Sequence, residues 1–296
     1  MKLTPFKSPG RLLCTCPSKY SLNTYIGRCG HGCVYCYAPK FPSFNGPARP
    51  RTKLAETINR MIGATQERLP VMVSDCTDPY QPLEARIKLT RRCLKALADR
   101  RFPILVTTKS DLVTRDIDLL SQTSSVVAVT VTTQDDRISK LIEPHAPHPV
   151  RRISALRRLA RNGIPTLARI DPIIPSVNDD WASFERLVAT LKDAGVHQVT
   201  VSTLKLVRGV YERLSRLGPS FQAQLRQEYL SGNSVFGYRY LPDRRRREIV
   251  QSARRIVLRY GLEFASCREG FPELSTAVCD GTSHLRQGST ATLLDS

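Results

Sequence analysis

The chain has 296 residues, 41% hydrophobic and 24% charged. That is enough for one large α/β domain or two small ones, and it excludes a disordered or fibrous chain. Lys and Arg outnumber Asp and Glu by 45 to 26, leaving a formal charge of +19, a balance that suits an anionic partner such as nucleic acid but equally a solvated arginine-rich surface.

No apolar run approaches the roughly 20 residues of a membrane helix, and the start, MKLTPFKSPGR, lacks the apolar centre of a secretion signal. The chain therefore reads as cytoplasmic. In that reducing compartment its nine cysteines are better free thiols or metal ligands than disulfides.

Residues 1–20 form an N-terminal segment. From there to residue 210, short β-branched runs alternate with helical patterns. Strands are expected at 22–27 (LNTYIG), 70–74, 103–109, 125–133, 165–171 and 197–203. Helices are expected near 52–68, 88–101, 114–122, 150–162, 180–194 and 208–217. In VRRISALRRLARNG, for example, Ile153, Leu156 and Ala160 share one face and Gly163 follows as a stop. Six such βα units over residues 21–210 fit a parallel sheet curled into a partial (β/α)6 TIM-like barrel. No G-x-G-x-x-G follows the first strand, which weakens the Rossmann alternative. Residues 211–296 read as a C-terminal extension docked on the barrel. Its main element is a helix with Asp243 as N-cap, Gly261 beyond its C-terminus, and a buried stripe of Ile249, Val250, Ala253, Ile256, Val257 and Tyr260.

The stretch CGHGCVYC carries the chemistry. Cys29, Cys33 and Cys36 are spaced C-x3-C-x2-C directly after the first strand. A closed zinc site needs four ligands, commonly from two distant knuckles. His31 could complete one, but on the same tight loop the tetrahedral geometry is awkward. A [4Fe-4S] cluster held by three thiolates keeps one iron open for a ligand that is not protein.

The spacing, with Tyr35 at the aromatic position, resembles the C-x3-C-x-aromatic-C signature of the radical S-adenosylmethionine (SAM) superfamily. The wider stretch LNTYIGRCGHGCVYCYAPKF resembles the spore photoproduct lyase-like, or DNA repair photolyase-like, family: Asn23, Tyr25, His31, Tyr35, Tyr37 and Ala38 match its pattern. Arg28, inserted between Gly27 and Cys29, departs from it. The likeness continues through SDCTDPYQPLE, TTKSDL and RIDPIIPSVND and covers about residues 20 to 205. It implies a partial barrel of the radical SAM type and a [4Fe-4S] cluster on Cys29, Cys33 and Cys36. It also implies S-adenosyl-L-methionine chelated to the open iron and a one-electron reductant of flavodoxin or ferredoxin type. The sulfonium would then be cleaved to methionine and a 5′-deoxyadenosyl radical.

Active sites of βα barrels form at the C-terminal ends of strands. Ser74, Asp75, Thr77 and Asp78 follow the second strand, where the superfamily often holds the SAM amino group. Lys109 ends the third and would pair with the SAM carboxylate. Thr130, Thr132, Arg169 and Asp171 end the fourth and fifth and would bond the ribose or carboxylate. Each has a bland alternative as a cap, turn residue or ion pair, and Asp78-Pro79 especially suits a turn. Cys76 lies close to where photoproduct lyases carry a hydrogen-donating cysteine, although its motif aligns only with a one-residue shift; a buried apolar cysteine is the alternative.

Cys14, Cys16, Cys267 and Cys279 could make a four-thiolate zinc or auxiliary cluster site, but separate free thiols are the simpler expectation. Cys93 reads as core. His145 and His148, in EPHAPHP, read as part of a rigid loop. Arg244 to Arg247, and Arg151, Arg152, Arg157, Arg158 and Arg161, are basic clusters that could meet phosphates but are expected as solvated faces.

The expectation is a radical SAM enzyme acting on a nucleic-acid base or lesion. The alternatives are radical modification of a peptide or small molecule on the same core, and a non-catalytic zinc- or nucleic-acid-binding module.

Overall fold

The computed structural model describes residues 3–6, 13–61 and 67–286. Its main sheet holds β1 (Thr4–Pro5), β2 (Tyr20–Leu22), β3 (Val71–Val73), β4 (Ile104–Thr108), β5 (Ser125–Thr130), β6 (Thr166–Ile173), β7 (Gln198–Thr203) and β8 (Glu263–Ser266). Their spatial order is their chain order. β1 pairs antiparallel with β2, and every other neighbour pair is parallel. β1 and β8 remain edges, so the barrel is partial. Besides the single turn Glu84–Ile87, the α-helices among the described residues are α1 (Leu54–Met61), α2 (Leu89–Ala98), α3 (Ile117–Ser121), α4 (Asp136–Ile142), α5 (Pro149–Arg161), α6 (Trp181–Asp193), α7 (Arg208–Ser215), α8 (Pro219–Tyr229) and α9 (Asp243–Arg259).

Strand period two sorts the side chains into two cores. Val71, Val73, Ile104, Val106, Val127, Val129, Ala168, Ile170, Val199 and Val201 pack with helix residues such as Leu94, Leu156 and Leu187. Met72, Leu105, Val126, Ala128 and Leu167, from the opposite parity, form a smaller cluster on the concave face, closed by Leu285. The register aligns Thr130 with Arg169 and Arg169 with Thr200. The concave parity therefore also holds Ser74, Lys109, Thr132 and Asp171, so the apolar floor gives way to polar groups at the strands' C-terminal ends.

Two expectations shift. The first strand stops at Leu22, and Tyr25–Ile26 instead pairs with Arg49–Pro50. Side-chain bonds draw the chain off the ladder here: the Tyr25 phenol donates to the buried Glu84 carboxylate, and the Thr24 and Thr90 hydroxyls meet at 3.2 Å. The N-cap of α9 is Pro242, with Asp243 as its first residue and paired to Arg246 at 2.6 Å. Of the helix expected at 52–68, residues 62–66 lie outside the described residues. α4 and α8 were not evident in the apolar pattern.

Residues beyond 210 contribute to the barrel itself. β8 extends the sheet beside β7. The following segment then returns across the concave face, where the Gln198 amide donates to the Val278 carbonyl at 3.0 Å and the Thr200 hydroxyl to that of Cys279 at 3.1 Å. Gly281, at φ +84°, passes so close that a Cβ would lie 2.8 Å from Leu167 and 2.9 Å from Val126; only glycine fits this approach.

Candidate active site

The cysteine loop leaves β2 through Gly27, whose φ is +77° and where a Cβ would overlap the Pro47 carbonyl. Cys29, Cys33 and Cys36 are half-buried free thiols. The Cys33 carbonyl accepts from Cys36 N at 3.2 Å, and the Cys29 carbonyl from Gly32 N at 3.3 Å. Neighbouring elements hold the loop from three sides. Gln81 accepts from Gly30 N at 3.1 Å. Val34 N donates to Ile142 O at 3.0 Å, and His145 N to His31 O at 3.2 Å. Arg213, from α7, donates to the carbonyls of Val34 at 2.8 Å and Cys36 at 2.5 Å. Burial pushes the Cys33 thiol up to about 12 and raises Cys29 as well.

The loop after β3 faces the cysteines. Asn23 joins the two, donating to Asp75 at 2.6 Å and accepting from Cys76 N at 3.4 Å. Ser74 is buried at φ +65°, and the Thr77 hydroxyl is buried without a protein partner. Asp78, expected to bind cofactor, is spent on protein. It accepts from the Thr108 hydroxyl at 2.6 Å, Lys109 N at 2.7 Å and Tyr80 N at 2.8 Å, and it lies 3.2 Å from His31 Nε2. Burial alone would raise this carboxyl, but His31 and these donors hold it at about 2. Asp78 thus braces the cysteine loop against β3 and β4, which includes the turn chemistry its Pro79 neighbour suggests. The same contact turns His31 toward Asp78 instead of a fourth zinc ligand position.

Lys109 ends β4 with its Nζ 5.3 Å from the Tyr35 ring centroid. Burial works against its charge, but Cys33 and Glu143 outweigh it, and the ammonium's pKa is raised. Among the described residues no carboxylate pairs directly with this ammonium. Behind it, the Tyr35 phenol donates to Glu143, and Glu143 pairs with Arg152, which also donates to Pro147 O at 2.6 Å and Thr130 O at 3.2 Å. Arg152 is fully buried. This corrects its reading as part of a solvated basic cluster: the arginine sits on the inner face of α5, and its counter-ion is supplied by the end of α4.

Thr130 and Thr132 are buried, and the Thr132 hydroxyl has no protein partner. Arg169 pairs with Asp171 at 2.5 Å and donates to the Cys279 carbonyl at 3.4 Å. Two buried hydroxyls that no protein group bonds are costly to leave unmet, and together with the half-buried Lys109 ammonium they suit a ligand with acceptor groups and a carboxylate.

Cys76 is half-buried. Burial, then Asp75 and Cys36, push its thiol up to about 12, so it stays an S–H at neutral pH. Next to it runs an aromatic, cationic rim. Tyr37 stacks edge-on against Tyr238 at 5.8 Å, and Lys40 and Arg268 lie 3.9 and 4.7 Å from the Tyr238 ring. The hairpin Ser234–Val235/Tyr238–Arg239 carries Phe236 at its tip, 56% exposed.

Elsewhere, Cys93 is fully buried in the core. His148 caps α5, accepting from Val150 N at 3.3 Å. The Arg244–Arg247 run is no open cationic face: Arg244 pairs with Glu248, Arg245 with Glu228 and Asp179, Arg246 with Asp243 and Glu269, and Arg247 with Glu273. The alternation of charge around α9 is invisible in a run of four arginines. Cys14, Cys16, Cys267 and Cys279, expected as separate thiols, come together instead. Sequence reasoning missed Glu143, Arg152 and Arg213 as site residues, and nothing local marks them.

The sequence model of the Radical SAM superfamily matches residues 23–188. The chain belongs to this superfamily. It is 37% identical over 181 residues to an uncharacterized protein of Methanocaldococcus jannaschii, covering 60% of this chain and 66% of that one. It is 26% identical over 280 residues to an uncharacterized protein of Mycobacterium tuberculosis, covering 88% and 80%. A radical SAM Nalpha-GlyT isomerase of Pseudomonas phage M6 is 24% identical over 253 residues, covering 83% of this chain and 52% of the isomerase. Among solved structures, spore photoproduct lyase complexed with dinucleoside spore photoproduct superposes with a TM-score of 0.64 at 15% identity, covering 83% of this chain and 75% of that one; at that identity the likeness shows the fold.

The chain is therefore a radical SAM enzyme on a partial barrel, and the superfamily's cofactors are a [4Fe-4S] cluster and SAM. The residues present fit these groups. Among the described residues no three His, Cys, Asp or Glu side chains are arranged around a single metal ion, and a cubane does not ask for that, because each of its irons takes its own thiolate. Among the described residues, no helix is long and apolar enough to cross a membrane.

Proposed function

We propose that Cys29, Cys33 and Cys36 ligate the [4Fe-4S] cluster and that the chain performs radical chemistry on a nucleic-acid base or base lesion. The observation that carries the cofactor assignment is the juxtaposition of the thiol loop with Lys109, a half-buried ammonium without a carboxylate partner among the described residues. When bound, the cluster and SAM supply one-electron cleavage of the sulfonium to a 5′-deoxyadenosyl radical. Lys109 neutralises the SAM carboxylate. Thr77 and Thr132 offer their unbonded hydroxyls, and Ser74, Asp75, Thr130, Arg169 and Asp171 line the same face. Tyr35 holds Lys109 from below through its ring, and Glu143 and Arg152 fix Tyr35. Asp78 takes no part in binding and keeps the loop in place.

Cys76 stands between the cysteine loop and the aromatic rim, where its S–H can return a hydrogen atom to a substrate radical. Cys76→Ala should spare iron content and SAM cleavage but change the products. A cysteine that is merely core would instead cost on the order of 1 kcal/mol of stability, with products unchanged.

The nucleic-acid reading rests on exposed Phe236, with Lys40 and Arg268 packed on the buried Tyr238 ring behind it, since an aromatic tip flanked by cations suits stacking on a base and contact with phosphate, and on the net charge. A one-electron donor of flavodoxin or ferredoxin type completes the reaction, its acidic surface meeting a basic enzyme. The test is anaerobic incubation of reconstituted enzyme with SAM, dithionite and damaged DNA or tRNA. Base-specific products, and their loss with Phe236→Ala, support the reading. SAM cleavage with no change in either polymer would shift it to a peptide or small molecule.

A further inference from the structure

Four cysteines lie outside the radical site, and they meet. Cys16 Sγ is 3.8 Å from Cys279 Sγ, Cys14 is within hydrogen-bonding reach of Cys16, and Cys267 is within reach of Cys279. Single buried cysteines are ordinary small hydrophobes. Two from the first 16 residues touching two from beyond residue 266 are a different matter, because nothing local brings them together.

The Cys16–Cys279 spacing excludes a disulfide, and it matches both two thiols in hydrogen-bonding contact and one edge of a zinc tetrathiolate. A disulfide needs sulfurs about 2.05 Å apart. Thiolates on a cubane each hold a separate iron and stand well apart. Four thiolates at about 2.3 Å from one zinc ion mark a tetrahedron with an edge of about 3.8 Å, which is the Cys16–Cys279 separation.

The surroundings suit a tetrathiolate, whose net charge is 2−. Lys19, buried and paired with Asp280, lies beside Cys16. Arg169, paired with Asp171, lies beside Cys267 and donates to the Cys279 carbonyl. The backbones are anchored, with Cys267 N on Val201 O at 2.8 Å and the Cys279 carbonyl on the Thr200 hydroxyl at 3.1 Å. The thiols touch in a chain and do not yet surround one point, so uptake involves side-chain rotation about fixed backbones.

We propose that Cys14, Cys16, Cys267 and Cys279 bind one zinc ion in a closed site that staples the N-terminal segment to the C-terminal segment beside the Arg169–Asp171 pair. The four thiols give up their protons to solvent as four Zn–S bonds form, and no redox change occurs.

Metal analysis tests this independently of any SAM chemistry. The Cys29→Ala/Cys33→Ala/Cys36→Ala variant, purified anaerobically, should retain about one zinc per chain, as a closed four-cysteine site would. Cys16→Ser/Cys279→Ser should lose the zinc yet keep its iron. If that variant fails to fold, the unmutated chain serves: Co²⁺ should give tetrahedral thiolate bands, and Zn²⁺ should protect these four cysteines from N-ethylmaleimide. Equal alkylation with and without Zn²⁺, with no cobalt bands, would overturn the proposal. So would iron and sulfide in the triple-alanine variant, which would make the site a second cluster.

Discussion

Lys109→Met separates a ligand-binding lysine from a structural one. The ammonium is half-buried just beyond β4, 5.3 Å from the Tyr35 ring centroid. In the ligand-free protein it gains a cation–π contact of about 0.5–2 kcal/mol and a Coulombic pull from Glu143. Burial works against the charge, but these attractions outweigh it, which is why the pKa is raised. Methionine has a similar reach and no charge to be attracted. The variant should therefore lose a modest part of its stability, about 1 kcal/mol. With SAM the loss is larger, because a hydrogen bond to a charged group contributes about 1.5–3 kcal/mol, which is about a ten- to 150-fold loss of affinity. Anaerobic calorimetry on cluster-loaded protein measures the second quantity and urea unfolding the first. Unchanged SAM affinity together with a clear loss of stability would make Lys109 a structural residue and refute the reasoning.

Replacing any one of Cys29, Cys33 and Cys36 by Ala should remove the visible iron–sulfide absorption and the expected complement of about four irons per chain; a triple variant that kept the full chromophore would exclude the loop as the ligand set. Glu143→Gln leaves fully buried Arg152 without its counter-charge and should destabilise the cluster-free chain by about 3–5 kcal/mol, measured by urea unfolding; a loss below about 1 kcal/mol would show that the pair is not held dry. Asp78 is held at about 2 against an ordinary 3.8, so its contribution of about 2 kcal/mol is complete above pH ~4 and is lost as pH falls toward 2. Asp78→Asn should flatten stability against pH in that window, and an unchanged slope would contradict the assigned partners.

The elements legible in the sequence are those whose signal is local. Strand period two put Ser74, Lys109, Thr130, Thr132, Arg169 and Asp171 at strand ends, and their shared parity alone dictates a common face once the strands are parallel. The C-x3-C-x2-C spacing marked the cysteine loop for the same reason, because three thiols within eight residues need no knowledge of the rest of the chain.

Contacts between distant segments were decided only by the tertiary structure. Glu143 and Arg152 belong to different elements, and only their docking behind Tyr35 makes a buried pair of what a helical wheel reads as surface charge. Arg213 reaches the cysteine-loop carbonyls across more than 170 residues. Arg244 to Arg247 were expected as a solvated face, and only the fold shows that each also meets an acidic partner while Arg246 is buried. Asp78 was expected to bind cofactor and instead meets Thr108, Lys109 N, Tyr80 N and His31, because a carboxylate's partners are fixed by which donors the fold brings within hydrogen-bonding distance, not by its place in a motif. The meeting of Cys14 and Cys16 with Cys267 and Cys279 is the extreme case. Neither pair has the spacing of a knuckle, and only the return of the C-terminal segment across the concave face of the sheet gives the four thiols a common place.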